Sequence, residues 1–328
     1  MNAPTVDGVL IQWGERLFYP GNRIVKSPRQ PRLSGRVGNH RAQWVRQRIE
    51  AIVRRAPQVM VKVTGGGRGM RAIAAHFRYI SKNGRLELID DRDNKREGKE
   101  SLRELAEEWR FGGSYIPEAS ERREAFNIML SMPRGTDPNA VLEAAREFAR
   151  DELADHAYVM VLHDHQANPH VHLSVRAESR HGARLNPRKA DLHRWRETFA
   201  ERLRDRGIDA EATRQFARGV ARGHEALWRL RARDEGRVRN PKWSLKPRSS
   251  EGRKRTSEAW ENIAFALSQS PEPTDQRLAA TIVDYMGDVK NARERKQSDR
   301  VFSDRQPDPL VRDALRDRPS PSGPEPIR

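Results

Sequence analysis

The sequence predicts an α+β fold: an antiparallel or mixed β-sheet with helices on one face, preceded by a basic N-terminal arm and followed by a helical and then disordered extension. Three observations predict it. Between Gln58 and Arg176, short β-favouring runs alternate with segments of helical period. The last two runs, "AYVMVLH" and "HVHLSV", follow each other across the short loop "DHQANP". Apolar residues make up only 36% of the 328, so one core domain with polar flanks is expected rather than two full domains.

Residues 1–56 are basic and turn-rich ("YPGN", "SPRQPRLSG") and read as an extended arm leading into one short helix over "HRAQWVRQRIEAIVRR". "QVMVKV" is the first core strand, closed by the glycine-rich turn "TGGGRG". In "MRAIAAHFRYISKNGRLELID", Ile73, Phe77 and Ile80 recur at helical spacing, "KNG" is a stop signal and "RLELI" alternates as a strand. Tyr79 therefore belongs to the last turn of a helix. "ESLRELAEEWR" is a helix, "AFNIMLSM" a strand and "PRGTDPN" a capped turn. "AVLEAAREFARDELA" is an amphipathic helix with Val141, Leu142, Ala145, Phe148 and Ala149 on one face. After the final two strands come a helix over "ADLHRWRETFAERLRDRG" and another from Arg218 to Arg237, completing a core domain at 57–236. Residues 237–300 read as a basic linker with two weak helices, near Glu258–Leu267 and Asp275–Tyr285. The tail, 301–328, has six prolines and few core formers, and reads as disordered.

The chain has 63 Lys+Arg against 46 Asp+Glu, a net charge of +17, so nucleic acid is the leading candidate partner. With no cysteine, disulfides, thiol nucleophiles and thiolate zinc sites are excluded, and any metal falls to histidine and carboxylate. A reducing cytoplasm fits. No apolar run approaches the roughly 18 residues of a spanning helix, and "MNAPTVDGVLIQWGERLF" lacks the pattern of a signal peptide, so neither a membrane span nor targeting is expected.

Four of the ten histidines fall in the ten residues from His163 to His172. In "HVHLSV", His170 and His172 are two apart on a strand and project to the same side. If "AYVMVLH" pairs with that strand, His163 joins them to make three neutral nitrogen ligands with open coordination positions, a Lewis-acid site for a substrate. Asp164 and His165 lie in the intervening loop, as ligand support, as proton acceptors or facing solvent. On a nucleic-acid backbone such a metal acts with water or with a side-chain nucleophile. Among five tyrosines, Tyr79 at a helix end and Tyr115 in a loop are the plausible nucleophiles, Tyr158 belonging to a core strand and Tyr19 and Tyr285 to the flanks.

"VKVTGGGRGMRAIAAHFRYISKNGRLEL", "FNIMLSMPRGTDP" and "HDHQANPHVHLSVR" occur in the order of the three motifs of plasmid mobilisation relaxases, and resemble the single-tyrosine MobA/VirD-type branch of the HUH endonucleases over about residues 58–220. The resemblance implies the HUH-type antiparallel sheet, a nucleophilic Tyr79, a DNA-holding Ser131, and a metal site of His163, His170 and His172. It departs at one point. The family usually has an acidic residue two positions after the first histidine of the third motif, where this chain has His165, with Asp164 displaced by one.

By the same resemblance, a divalent cation, Mg²⁺ or Mn²⁺, polarises the scissile phosphate of a single strand at an origin of transfer. Tyr79 attacks it to leave a 5′-phosphotyrosyl link and a free 3′-hydroxyl, with His165, Asp164 or His76 as proton acceptors. Arg78, Lys82 and Arg85 around the tyrosine and Arg176 after the metal strand are expected to hold DNA. The family works with accessory DNA-binding proteins and the coupling ATPase of a type IV secretion system, in the bacterial cytoplasm, and can be translocated to a recipient attached to its DNA. The competing readings are a rolling-circle replication initiator, whose HxH motif precedes the tyrosine; a non-catalytic or degenerate DNA-binding accessory protein; and a nuclease that uses metal-bound water.

Overall fold

The computed structural model describes residues 5–18, 35–215, 217–219 and 250–303. The chain divides into two compact units, one ending at Arg218 and the other starting at Gly219.

The first unit is built on an open six-stranded sheet: β1 (Met60–Gly65), β2 (Leu88–Asp90), β3 (Lys95–Arg96), β4 (Ala125–Ser131), β5 (Tyr158–His163) and β6 (His170–Arg176). Its spatial order is β1-β4-β6-β5-β2-β3, and every neighbouring pair is antiparallel. Among the described residues six helices accompany it: α1 (Val6–Phe18), α2 (Gly35–Val53), α3 (Met70–Ile80), α4 (Gly98–Phe111), α5 (Pro138–Glu152) and α6 (Lys189–Arg204).

Strand alternation sorts the side chains onto two faces. Phe126, Ile128, Leu130, Met160, Val171, Leu173 and Val175 point to one face and are buried against Val141, Ala145 and Phe148 of α5 and Trp195, Phe199 and Leu203 of α6. Phe148 is the hinge of that layer, edge-on to both Trp195 (6.1 Å) and Phe199 (6.3 Å). Ala125, Val159 and Val161 point to the other face and are buried with Met70, Ile73, Phe77 and Ile80 of α3 and Leu102, Leu105 and Trp109 of α4. Helices thus cover both faces, not one. The reason lies in β5, whose Val159 and Val161 make its second side apolar too, and in Ala125 of β4 beside it, so that side also needs a cover.

Local chemistry sets the helix ends. Asp137 caps α5, its carboxylate accepting from Asn139 N (3.1 Å) and Ala140 N (3.3 Å), with Pro138 at the first helical position. Gly69 enters α3 at φ 97°, where a Cβ would stand 2.4 Å from the Glu118 carbonyl oxygen.

The N-terminal segment differs from the expected extended arm with one short helix. α1 and the 19-residue α2 form a helical pair that buries Leu10, Ile11, Leu17 and Phe18 with Ala42, Val45, Ile49 and Ile52. Gly14 permits the approach, since a Cβ there would lie 2.7 Å from Val45. The helical spacing of Leu10, Leu17 and Phe18 was the signal, outweighed in the sequence by the turn residues that follow it. The buried Arg48 then ties α2 to α6 and to the segment beyond it, through Glu197 (2.6 Å) and Glu211 (3.0 Å).

In the second unit, α7 (Ser250–Ser268) and α8 (Pro273–Ser303) pack on each other, with Trp260 against Tyr285 at 5.8 Å. Both outrun the expected weak helices, because the Lys/Arg/Glu/Ala-rich stretches beyond the apolar residues still favour the helix. The helix expected at Arg218–Arg237 falls almost wholly, and the tail beyond residue 303 entirely, outside the described residues.

Phe148→Ala is expected to destabilise the first unit by about 3–5 kcal/mol. Urea unfolding of the variant beside the wild type, followed by tryptophan fluorescence, measures it; a loss below about 1 kcal/mol would contradict this account of the α5/α6 layer.

Candidate metal centre and nucleophile

β5 and β6 are the two central strands, and their register pairs His163 with His170 and Val161 with His172. Directly opposed residues in an antiparallel pair share a face, and so do residues two apart on a strand. His163, His170 and His172 therefore meet on the face beneath α3. Their ring centroids are 5.1 Å (His163 to His170), 4.7 Å (His163 to His172) and 5.0 Å (His170 to His172) apart. One nitrogen from each lies within 4.8 Å of the others, and among the described residues this is the one such cluster of His, Asp or Glu.

Hydrogen bonds prepare the site for a cation. His163 Nε2 is 2.7 Å from the Ile80 carbonyl and His170 Nδ1 is 2.9 Å from the Asn168 carbonyl. A carbonyl only accepts, so in the neutral rings these nitrogens donate, leaving Nδ1 of His163 and Nε2 of His170 with free lone pairs. His172 Nδ1 is buried without a hydrogen-bond partner. Burial, aided by His163, His170 and His76, lowers the His172 pKa to about 3; burial also lowers that of His163. Neutral imidazoles with free lone pairs, converging in a site without thiolates, fit a divalent ion.

α3 brings the phenol to this cluster. Tyr79 occupies the last turn of the helix, 68% exposed, with its ring edge-on to His172 at 6.3 Å. His76, one turn earlier on the same helix face, stacks on Tyr79 at 6.2 Å and is kept neutral by burial, its pKa lowered to about 4. The helix is held down by the His163 bond to Ile80, the residue after the tyrosine, and by Ile73, Phe77 and Ile80 beneath it. The chain then reverses through Lys82 (φ 50°), Asn83 (φ 60°) and Gly84 (φ 81°), a left-handed run in which the lysine is the strained member. Ser81 secures that turn, its hydroxyl donating to the Phe77 carbonyl and accepting from Gly84 N.

The other expected site residues fall at varied distances from this cluster. His165 and Asp164 are exposed in the β5–β6 turn, with the His165 ring 5.2 Å from that of His163. Arg78, Lys82 and Arg85 are exposed around the end of α3. Ser131 pairs with His170 across β4 and β6, but it is buried, its hydroxyl within reach of the Pro169 carbonyl (3.3 Å) just before that histidine. Tyr115 is exposed beside Phe111 at 5.8 Å, just past α4. Arg176 is corrected: it is buried and donates to the carbonyls of Trp109 (2.7 Å), Gly112 (3.3 Å) and Ser114, closing the end of α4 instead of meeting DNA. Strand alternation places it on the α4 side, where these carbonyls and the Ser114 hydroxyl (3.4 Å) accept from it. The acceptors Ile80 and Asn168 could not be found from sequence, because every residue carries a carbonyl.

Known proteins are similar to the part of the chain that carries these residues. Residues 79–208 match the family model "Relaxase: MobA/VirD2-like, nuclease domain", a span that holds Tyr79, Ser131 and the three histidines. The chain is 27% identical over 190 residues to the T-DNA border endonuclease VirD2 of Rhizobium radiobacter, covering 50% of this chain and 43% of that protein. It is 26% identical over 189 residues to the protein of the same name from Agrobacterium fabrum (strain C58 / ATCC 33970), covering 50% and 41%. It thus spans less than half the length of these curated relatives.

The lowered pKa values of His172, His76 and His163 carry a linkage prediction. Each takes up its proton more readily in the unfolded chain, near pH 6.5, than in the folded one, so its contribution is complete above about pH 6.5 and is lost as the pH falls. Unfolding free energy measured in EDTA should therefore decline between about pH 6.5 and pH 4.5, before most carboxylates titrate, and His172→Asn should flatten that decline. An equal slope in both proteins would rule out His172 as a contributor.

Proposed function

We propose that this chain, whose residues 79–208 carry a nuclease domain of the MobA/VirD2-like relaxase family, nicks one strand of DNA at an origin of transfer by tyrosine transesterification. The observation that carries this reading is the exposed Tyr79 phenol beside His172 of the three-histidine cluster. An exposed phenol next to a metal-ligand set is what a side-chain nucleophile for a phosphodiester requires.

The step is an exchange of esters. Tyr79 Oη bonds to phosphorus, the bond from phosphorus to the 3′ oxygen breaks, the 3′ oxygen leaves as a hydroxyl, and the strand end stays on the protein as a 5′-phosphotyrosyl ester. His163, His170 and His172 would hold Mg²⁺ or Mn²⁺, which when bound supplies positive charge where phosphate charge develops. The protein positions the nucleophile: His76 stacks on the phenol ring, while Ile73, Phe77 and Ile80 fix the helix that presents it. His165 or Asp164, exposed in the β5–β6 turn, takes the phenolic proton; His76, neutral and stacked on the ring, serves to orient it.

Arg78, Lys82 and Arg85 supply phosphate contacts around the tyrosine, and Ser131 acts by steadying the turn before His170. The physiological substrate is a single strand at an origin of transfer on a plasmid or integrative element. Accessory DNA-binding proteins and the coupling ATPase of a type IV secretion system are the partners, and the bacterial cytoplasm is the site of action, from which the protein travels attached to its DNA. No described helix is long and apolar enough to cross a membrane.

The test is a labelled oligonucleotide carrying a candidate transfer origin, incubated with and without Mn²⁺ or Mg²⁺ and resolved on a denaturing gel. A covalent complex of protein and DNA should form with metal and disappear in Tyr79→Phe and in His170→Ala. Metal-dependent cutting that survives Tyr79→Phe would replace this reading with a water nuclease. Neither product on a bound origin would replace it with a DNA-binding accessory protein.

A further inference from the structure

A groove of about 820 Å³ runs between α3 and α4, on the helix pair that presents Tyr79. Arg71, Arg78, Arg85, Lys99, Arg103 and Arg110 line it. Its acidic members, Glu107 and Glu118, are both engaged by Arg110, leaving the remainder of the groove positive.

Four of these six cations have no carboxylate partner among the described residues, while Arg103 pairs with Glu100 and Arg110 with Glu107 and Glu118. Elsewhere in the first unit arginine after arginine meets a carboxylate: Arg96 with Glu108, Arg146 and Arg150 with Asp93, Arg194 with Glu152, Arg206 with Glu147. Arg71, Arg78, Arg85 and Lys99 are exposed and have no such partner among the described residues. Four unpaired cations along one groove repel each other in the free protein, a cost relieved when a polyanion lies among them.

The two helices fix the groove's direction. Gly98 N donates to the Gly84 carbonyl (2.9 Å), so α4 begins beside the turn that follows Tyr79. At the other end, Met70 N donates to Pro117 O (2.9 Å) and Arg71 N to Glu118 O (3.3 Å), so α3 begins beside the loop that follows α4. The helices are antiparallel, and the 11 residues of α3 give the groove a length of about 16 Å. Arg78 and Arg85 stand at the tyrosine end; Arg71 and Arg110 stand at the far end. There the Ile116 N to Arg110 O bond (3.1 Å) folds the loop back, so that the exposed pair Phe111 and Tyr115 lies just past the groove. Cations in a track followed by open aromatic faces are the arrangement that suits an unpaired strand, whose phosphates take the cations and whose bases are free to stack.

We infer that the α3–α4 groove is a binding track for single-stranded DNA, seating two or three phosphates of the strand that leads away from Tyr79 and stacking a base on Phe111 or Tyr115. The inference rests on the nicking function proposed above and adds the path the strand takes over the protein.

Equilibrium binding of a fluorescein-labelled 30-nucleotide oligothymidylate to the full chain in EDTA, across a salt series, tests it. The triple variant Arg71→Gln, Arg85→Gln, Lys99→Gln should bind roughly tenfold more weakly near 0.1 M salt, with a plot of log K against log[salt] shallower by about 2, given about 0.7 per phosphate on single strands. Phe111→Ala with Tyr115→Ala should weaken binding without changing that slope. Wild-type melting temperatures in both variants would exclude misfolding; if the triple variant melts early, Arg71→Gln alone, on an exposed helix face, should still lower the slope by about 0.7. Unchanged affinity and slope in the charge variants would overturn the groove, as would an equal loss on a 30-base-pair duplex. The assay needs no cleavage: a covalent complex that forms normally while the slope is unchanged sinks the groove alone, and intact groove binding without any covalent complex sinks the nicking reading alone.

Discussion

The hydrogen bond between His163 and the carbonyl of Ile80 joins the two halves of the site. On one side it selects the tautomer that leaves the other imidazole nitrogen free to bind a cation. On the other it pins the last turn of α3, and so the tyrosine one residue earlier, over the centre of the sheet. A single short contact thereby couples the tautomer of His163 to the position of Tyr79, and a shift in either would be felt by the other.

The sheet around that contact is asymmetric in its cover. The α5/α6 face is closed by large apolar side chains from every central strand, and gives the unit its rigid floor. The α3/α4 face is closed over β5 and β2 but not towards β1. Two cross-strand rows, Met60–Ser131–His170–His163 and Lys62–Met129–His172–Val161, lead from the exposed edge into the histidine cluster. Met60 is 44% exposed and Lys62 is exposed too, so the cluster is walled on one flank by α3 and approachable from the other. Burial in this site lowers the pKa of His172 and of His163, holding both neutral.

Charge is distributed with similar division of labour. Most arginines of the first unit are spent on ion pairs and carbonyl bonds that bind helices to one another, as Arg48 does between α2 and α6 and Arg176 does under α4. The net charge of +17 is therefore a poor guide to which cations are free. Arg78, Lys82 and Arg85, which have no carboxylate partner among the described residues, stand around the end of α3 beside Tyr79.

How much of this was legible in the sequence follows from the range of each interaction. The period of two placed His170 and His172 on one side of a strand, and the period of 3.6 with the "KNG" stop placed Tyr79 at a helix end; both are local geometries that side-chain pattern alone dictates. The order of elements from β1 to α6, apart from the two-residue β3, and a capping position in the turn before α5 were readable for the same reason. The tertiary structure decided the rest. Which face α3 covers, which carbonyl receives His163, whether Arg176 meets solvent or the end of α4, and whether "VLIQWGERLF" packs as a helix all depend on partners distant in the chain. Alternation says which side chains share a face, but not what lies over it, and a backbone acceptor carries no mark in the sequence because every residue has one.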